Sequence, residues 1–259
     1  QIIRERWNSL TVQQQEQFRL YTASKSFHTH RIIGNFHFYY DTTGTDAAAM
    51  IDANNNAIDG TADEYIDSLG VIFNYTMNVE INQLGYKSPN PFLFPMTVEV
   101  LNLNDVYGDA NGFKVRLDND FSDFPTVGLY AARVTAAHEF HHNIQYAYAS
   151  NPDRSYMELT SVWMEEVVYN EVNDYYNYIR SYKGLLGNPS ASFFTADQAI
   201  EYSRGVWGKF LEEKFQLEYQ TVDTGRAMMK RSWEFIGRGN AAHIAIDSAL
   251  LPHAGFSNA

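Results

Sequence analysis

The stretch Val134-Thr-Ala-Ala-His138-Glu139-Phe-His-His142 lies within residues 128–149, a run without proline or interior glycine that predicts a long helix. Each residue of an α-helix turns by about 100°, so His138 and His142 share one face, and both imidazoles can reach a single ion. Glu139 lies at the flank of that face, where it can meet a metal-held water without being a ligand. This His-Glu-x-x-His spacing therefore predicts a zinc ion held by His138 and His142, with Glu139 as the base.

The next segment without helix breakers contains two candidates for a third ligand. A catalytic zinc needs a third protein ligand and one open position, and without that ligand the histidines would be ordinary helix-surface residues. Glu158 and Glu165 are seven positions apart and so share a helix face, which lets one bind the metal while the other fixes a histidine from behind. Ser155-x-x-Glu158 also fits a capping box, so Glu165 remains the alternative ligand. His141, on a neighbouring face, is interpreted as a packed histidine or a support for the ligands.

This arrangement, a His-Glu-x-x-His helix followed by Glu-x-x-x-x-x-x-Glu on a second helix, resembles the gluzincin metallopeptidases. The resemblance to zinc aminopeptidases of that group implies that Glu158 is the third zinc ligand and Glu165 the partner behind a histidine. The chain departs from those enzymes in one respect, because only 15 residues separate His142 from Glu158, a shorter connection than theirs. The choice between the two glutamates therefore stays open.

A later segment, Glu201-Tyr202-Ser-Arg-Gly205, is similar to the Tyr-x-Lys/Arg-Gly helix start of zinc aminopeptidases. There the tyrosine hydroxyl stabilises the oxyanion that forms as the carbonyl becomes tetrahedral. The similarity implies this role for Tyr202. Since the chain contains 18 tyrosines, a packing tyrosine is the alternative.

Residues 52–63 place oxygen groups at the loop positions that bind calcium in EF-hands and dockerins. The predicted ligands are the side chains of Asp52, Asn54, Asn56 and Asp63 and the main-chain carbonyl of Ile58. Two features depart from that pattern, because Ala57 replaces the glycine of the sharp turn and Asp63 is shorter than the usual glutamate. The alternative is a solvated Asn/Asp turn.

The order of predicted elements implies an α+β fold. Residues 1–27 read as an N-terminal arm with a short amphipathic helix, and residues 28–259 as one zincin-like domain. Its β-rich lobe covers about 28–126 and its helical lobe about 127–259, since strands come first and helices afterwards. Strands are predicted at 36–40, 96–103 and 112–117, and helices at 63–83, 128–149, 154–182, 195–216, 225–236 and 241–251.

Composition limits the classes of partner. The net charge of −12 argues against nucleic acid, whose phosphates require a basic surface. The chain has no cysteine, which excludes disulfides and thiolate ligands. No apolar run approaches the roughly 20 residues of a membrane span.

Several segments together resemble an uncharacterised group of secreted bacterial metallopeptidases. They are Gly34-x-Phe-His-Phe-x-Tyr40-Asp-Thr-Thr-Gly44, the Asp-x-Asn-x-Asn loop, Leu117-Asp118-Asn-Asp120-Phe121 and Val134-Thr-Ala-Ala-His138-Glu139. The resemblance covers most of residues 28–236 and implies an extracellular setting. Asp118 and Asp120 fit either metal ligands or caps of a strand end, and we favour the structural interpretation.

The leading hypothesis is a zinc endopeptidase acting on proteins or peptides. The chain lacks the Gly-x-Met-Glu-Asn segment with which zinc aminopeptidases capture a free amine, which favours cleavage within chains. One alternative is a calcium-stabilised binding or adhesion module with an inactive His-Glu-x-x-His site. Another is a zinc hydrolase acting on a non-peptide amide.

Overall fold

The computed structural model describes residues 25–89, 95–195, 197–219 and 223–250. Most of the arm predicted for residues 1–27 therefore lies outside the described residues. The strands are β1 (Thr29–Ile33), β2 (Phe36–Tyr40), β3 (Met50–Ile51), β4 (Ala57–Ile58), β5 (Met96–Val100), β6 (Gly108–Ala110) and β7 (Lys114–Leu117). The helices are α1 (Ala62–Met77, continued by the π-helical segment Asn78–Gln83), α2 (Gly128–Tyr148), α3 (Arg154–Val168), α4 (Tyr176–Ile179), α5 (Gln198–Ser203), α6 (Val206–Tyr219), α7 (Asp223–Ile236) and α8 (Ala242–Leu250).

Five strands form a mixed sheet in the order β1-β2-β5-β7-β6. β2, β5 and β7 run parallel, while β1 and β6 lie antiparallel to their neighbours at the two edges. β3 and β4 form a separate hairpin. The fold is thus mixed α/β, with a sheet and several helices, and is compatible with the α+β class.

The sheet buries one face, and buried and partly exposed residues alternate along its strand β2. Phe36, Phe38 and Tyr40 of β2 are buried, whereas the intervening residues of that strand are partly exposed. The ring of Phe36 lies 5.0 Å from that of Phe73 in α1 and 5.8 Å from that of Phe140 in α2, measured between ring centroids. The helices α1 and α2 therefore cover this buried face of the sheet.

Helix α2 is buried on nearly all sides. It packs against α1, α3, β6 and β7. Small side chains let these neighbouring elements pack closely against α2. Four buried alanines lie along the helix: Ala131, Ala132, Ala136 and Ala137. Its weak amphipathic pattern follows from this central position, because a helix that is covered all round needs no polar face.

The prediction of one helix over 154–182 is wrong. Helix α3 ends at Val168, turns follow, and Asn173 adopts a positive φ of 57° before the short α4 begins. A contact distant in sequence accounts for the end of α3, because the Tyr169 hydroxyl donates to the Ile72 carbonyl at 3.0 Å and its ring is buried against α1. The absence of Pro and Gly permits a long helix but does not impose one.

The helix predicted for 195–216 is also divided, with a break at residues 204–205 between α5 and α6. The strands predicted for 96–103 and 112–117 are shorter than expected, ending at Val100 and beginning at Lys114. Among the described residues, no helix combines the length and apolar character needed to cross a bilayer.

Candidate metal centre

Helix α2 presents two histidines on one face, as the spacing predicts. The ring centroids of His138 and His142 are 4.7 Å apart, and both rings are buried. Helix α3 brings Glu158 against them. Its Oε2 lies 3.1 Å from Nε2 of His138 and 3.4 Å from Nε2 of His142. The three donor atoms lie within 4.8 Å of one another and could hold a metal ion.

The other ring nitrogen of each histidine is bonded to the protein. Nδ1 of His138 lies 2.7 Å from Oε1 of Glu165, and Nδ1 of His142 lies 2.8 Å from Oε1 of Gln145. Metal-binding histidines are commonly oriented in this way, with the distal N–H donated to a carboxylate or carbonyl. Both Nε2 atoms consequently face the carboxylate of Glu158.

Gln145 was not anticipated from the sequence, and its orientation fixes the tautomer of His142. Its Nε2 donates to the Met157 carbonyl at 3.0 Å and to the Thr160 hydroxyl at 3.0 Å. Its amide oxygen must therefore face His142 and accept the Nδ1–H. The sequence signal was weak, since Gln145 is one of several polar residues three positions from a histidine on the same helix.

Glu165 and His138 form a tightly coupled buried pair. Burial raises the pKa of Glu165 to about 8, although His138 opposes that rise. The pKa of His138 is also raised, because Glu158 and Glu165 together outweigh the effect of burial. The hydrogen bond between Nδ1 of His138 and Oε1 of Glu165 holds the imidazole in its orientation.

Glu158 is not the cap of its helix, and the capping-box alternative is wrong. The N-cap of α3 is Asp153, whose Oδ1 accepts from the Tyr156 amide at 3.0 Å. Ser155 instead hydrogen-bonds with Glu201 at 3.4 Å. Burial opposes ionisation of Glu158, but the attraction of His142 and His138 is larger and holds its pKa well below the ordinary value. Glu158 is therefore an ionised carboxylate beside two imidazoles.

Glu139 lies beside this cluster without joining it. Its side chain is buried, and Oε2 has no hydrogen-bond partner among the described residues. Burial raises the pKa of Glu139, while His138 and His142 counteract that effect. A buried carboxylate oxygen without a partner is costly unless a ligand or water bonds to it.

Tyr202 of α5 completes the wall of the site. Its ring centroid lies 5.5 Å from that of His138, and its hydroxyl hydrogen-bonds with Glu158. Burial, followed by the nearby carboxylates Glu158 and Glu139, raises the pKa of this hydroxyl far above its ordinary value. The hydroxyl therefore remains protonated and is a hydrogen-bond donor.

The cluster could hold a metal ion, and its residue types are compatible with zinc. Two imidazoles and one carboxylate are a known ligand set for zinc with an open fourth position. The unpartnered oxygen of Glu139 lies where a ligand or water would bond. Both imidazoles are oriented through Nδ1, which is the support that such ligands usually have.

His141 lies on a neighbouring face of α2. Its Nδ1 is 2.7 Å from Oε2 of Glu80, in the π-helical segment, and both side chains are fully buried. It is thus a packed histidine that joins α2 to the end of α1, and it does not contact the cluster formed by His138, His142 and Glu158.

The loop predicted to bind calcium is a hydrogen-bonded turn. The carboxylate of Asp52 accepts from the main-chain amides of Asn54 and Asn56, at 2.8 and 2.9 Å. The carboxylate of Asp63 accepts from the Tyr40 hydroxyl at 2.6 Å, and the Ile58 carbonyl from the Thr61 hydroxyl at 2.6 Å. Three of the five predicted ligands are therefore already bonded to protein groups.

Asp118 orders the chain after β7, as the structural interpretation requires. Its carboxylate accepts from the amides of Leu103 at 3.0 Å and Phe121 at 2.8 Å. Asp120 accepts from the Ser122 amide at 2.7 Å.

A groove passes the cluster along edge strand β6. A cavity of about 370 Å³ lies on one side and another of about 330 Å³ on the other, and both are lined by Gly108, Glu139 and Tyr202. A third cavity continues beyond the second and shares Ala110 and Tyr146 with it. The cluster of His138, His142 and Glu158 therefore borders both of the first two cavities.

Comparison of the chain with protein-family models, with curated proteins and with solved structures finds no match.

Proposed function

We propose that the protein is a zinc-dependent endopeptidase. The observation that carries this proposal is the convergence of His138, His142 and Glu158 beside the unpartnered carboxylate oxygen of Glu139. The Glu-x-x-x-x-x-x-Glu pattern of the gluzincins supports it, because Glu158 and Glu165 lie where a ligand and its supporting partner are needed.

His138, His142 and Glu158 would hold the zinc. When bound, zinc supplies a Lewis acid that polarises the substrate carbonyl and lowers the pKa of a coordinated water towards about 7. Glu139 Oε2 accepts a proton from the attacking water and later delivers it to the nitrogen of the leaving amine. The Tyr202 hydroxyl exchanges Glu158 for the carbonyl oxygen as negative charge develops there.

The shape of the groove favours cleavage within a chain. A peptide that lies along β6 can extend past the reacting groups in both directions, through the cavities on either side. As an edge strand, β6 offers its outer main-chain groups for pairing with an extended substrate. An enzyme that removes single terminal residues needs a groove closed at one end.

Two further parts of the proposal concern a second ion and the setting of the protein. We propose calcium as a stabilising ion for residues 52–63, because Asp52, Asn54 and Asn56 retain the spacing of a calcium loop and are exposed. We also propose an extracellular setting, on the resemblance to secreted metallopeptidases.

The test combines metal content with activity. Protein incubated with zinc and then desalted should contain about one zinc per chain. It should also hydrolyse a casein-type substrate, and a chelator should abolish that hydrolysis. The variant Glu139→Gln should retain zinc and lose hydrolysis, since Glu139 moves a proton and does not bind the metal.

The matched control is Glu213→Gln, on the exposed surface of α6, which should keep both properties. Zinc-treated protein that remains metal-free would refute the proposal. So would a Glu139→Gln variant as active as the unmodified protein.

A further inference from the structure

One of the two cavities beside the metal centre is strongly acidic. Its wall contains four carboxylates and, among the described residues that line it, no lysine or arginine: the four are Asp105, Glu139, Glu165 and Asp174. Glu139 and Glu165 serve the centre itself, as base and as partner of His138. Asp105 and Asp174 have no part in the proposed chemistry and remain to be explained.

Asp174 is a buried carboxylate whose bonds come from neutral groups. Only 4% of its surface is exposed. Its Oδ1 accepts from the Thr126 hydroxyl and from Nδ2 of Asn177, the latter at 3.0 Å. Carboxylates are rarely buried without a positive partner, because desolvation of the charge is costly.

Two basic side chains that pair with carboxylates near Asp174 in sequence are engaged by those carboxylates. Arg133 pairs with Glu171 at 3.3 Å, and Lys209 pairs with Glu166 at 3.0 Å. No ion pair of Asp174 with a Lys, Arg or His occurs within the described parts of the chain. A cation that enters the cavity would therefore meet the carboxylate of Asp174, which has no positively charged partner among the described residues.

Aromatic rings form much of the remaining wall. The rings of Tyr107 and Phe124 are 4.3 Å apart, and those of Tyr178 and Tyr202 are stacked at 4.8 Å, measured between centroids. Ring faces attract ammonium and guanidinium groups, and apolar walls accept the aliphatic stem of a long basic side chain. Asp105 is exposed, which places a second carboxylate where the cavity meets solvent.

The cavity on the other side of the centre has a different character. It contains Arg154 in addition to Asp109, Glu139 and Glu158, so charges of both signs line it. Asp109 also bonds to Arg116. A cationic group is therefore more strongly favoured in the cavity of Asp105 and Asp174, whose lining contains no arginine or lysine among the described residues.

We propose that the acidic cavity binds a lysine or arginine side chain of the substrate next to the bond that is cleaved. This inference rests on the proposed peptidase function and names the substrate class of that site. The volume of about 370 Å³ admits one long side chain. The same ammonium chemistry could come from the free amine of a peptide terminus, and the experiment separates these two sources.

The test uses short fluorogenic peptides with an amidated C-terminus, each made once with an acetylated and once with a free N-terminus. They differ at single positions on either side of the cleaved bond, where lysine, arginine or norleucine is placed. At one position, lysine and arginine should raise kcat/KM over norleucine on the order of 10- to 100-fold, the range of a charge-assisted hydrogen bond. At the position across the bond, the preference should be absent.

Asp174→Asn should bring the ratio of lysine to norleucine cleavage close to one. Asn keeps an oxygen for Thr126 and Asn177 and removes the charge. Asp105→Asn, at an exposed position that does not threaten folding, should lower the same ratio by a few-fold. The control Glu171→Gln removes a nearby exposed charge outside the cavity and should leave the ratio unchanged.

A binding measurement separates this inference from the proposed function. In the Glu139→Gln background, the dissociation constant of the lysine peptide should be lower than that of the norleucine peptide, and Asp174→Asn should remove the difference. Wild-type protein that binds zinc but cleaves no peptide would refute the peptidase function, while this binding comparison would still test the cavity.

Equal cleavage and equal binding of the two peptides would overturn the inference. A preference that survives Asp174→Asn would also overturn it. A preference seen only in peptides with a free N-terminus would assign the cavity to the terminal amine instead of a side chain.

Discussion

At the residue scale, the two glutamates of α3 are distinguished by the nitrogen of His138 that each one bonds. Glu158 lies 3.1 Å from Nε2, on the side shared with His142, whereas Glu165 lies 2.7 Å from Nδ1. The two carboxylates thus occupy opposite edges of the same ring. The sequence left open which of the two glutamates is the third ligand, and this difference in position allows a measurement to decide it.

Glu158→Ala should strip the zinc from the protein, because it removes one of three proposed ligands. Glu165→Ala should weaken zinc affinity by about 10- to 100-fold, the usual cost of losing the partner that orients a ligating histidine. Zinc titration with a competing chelator measures both. If Glu165→Ala loses its zinc and Glu158→Ala retains it, then Glu165 is the ligand and Glu158 is not.

Tyr202→Phe should lower turnover by roughly 10²- to 10³-fold, as for the loss of one oxyanion donor, and leave zinc content intact. The hydroxyl gains strength as a donor only when charge develops on the carbonyl oxygen, so kcat should fall much more than KM rises. Phenylalanine preserves the stacking of this ring on Tyr178. Steady-state kinetics provide the measurement, and an unchanged kcat would leave Tyr202 as a packing residue.

At the scale of elements, the site depends on how α5 and α6 approach α3. Gly205 lies at the break between α5 and α6, and a Cβ built there would be 2.6 Å from Cγ1 of Val162. A contact this short forces a shift, and both Val162 and the adjacent main chain are buried. The glycine therefore allows the α5–α6 junction to rest on α3, which places Tyr202 beside His138.

Gly205→Ala should reduce the free energy of unfolding by about 1–3 kcal/mol, the usual cost of overpacking a core. Activity should fall as well, because Tyr202 lies in the displaced segment, while zinc remains bound by α2 and α3. Urea denaturation and zinc analysis check these effects together. Glu213→Ala, on the exposed face of α6, is the control and should change neither. A Gly205→Ala protein of unaltered stability would show that the junction adapts freely.

At the scale of the whole molecule, the His138, His142 and Glu158 side chains join α2 to α3. The Asn/Asp loop of residues 52–56 is a separate site, between the hairpin strands β3 and β4. An ion that binds the folded state but not the unfolded chain stabilises the fold by mass action. Calcium at about 100 times its Kd should therefore contribute about 2.7 kcal/mol and raise the melting temperature. Asp52→Ala should erase that rise, and an identical melting curve with and without calcium would leave residues 52–63 as a plain turn.

Local geometry is the part that the sequence determined. His138, Glu139 and His142 fall on adjoining parts of one helix because the turn of an α-helix is fixed, whatever surrounds it. The aromatic residues at every second position of β2 predict a half-buried strand, because successive side chains of a strand point to opposite faces of the sheet. The spacing of Glu158 and Glu165 likewise limited the third ligand to two residues.

Contacts between segments distant in sequence decided where α3 begins and ends and which side chains surround the histidines. The sequence does not show that Tyr169 bonds to Ile72 and ends α3, or that Asp153 caps this helix and leaves Glu158 to the histidines. Nor does it reveal Gln145 as the partner of His142, or the convergence of Asp105 and Asp174 on one cavity. Periodicity reports which face a residue occupies, but the partner of that face is set by packing between elements. For that reason the helix of His138 and His142 could be found in the sequence, whereas the cavities beside it required the tertiary structure.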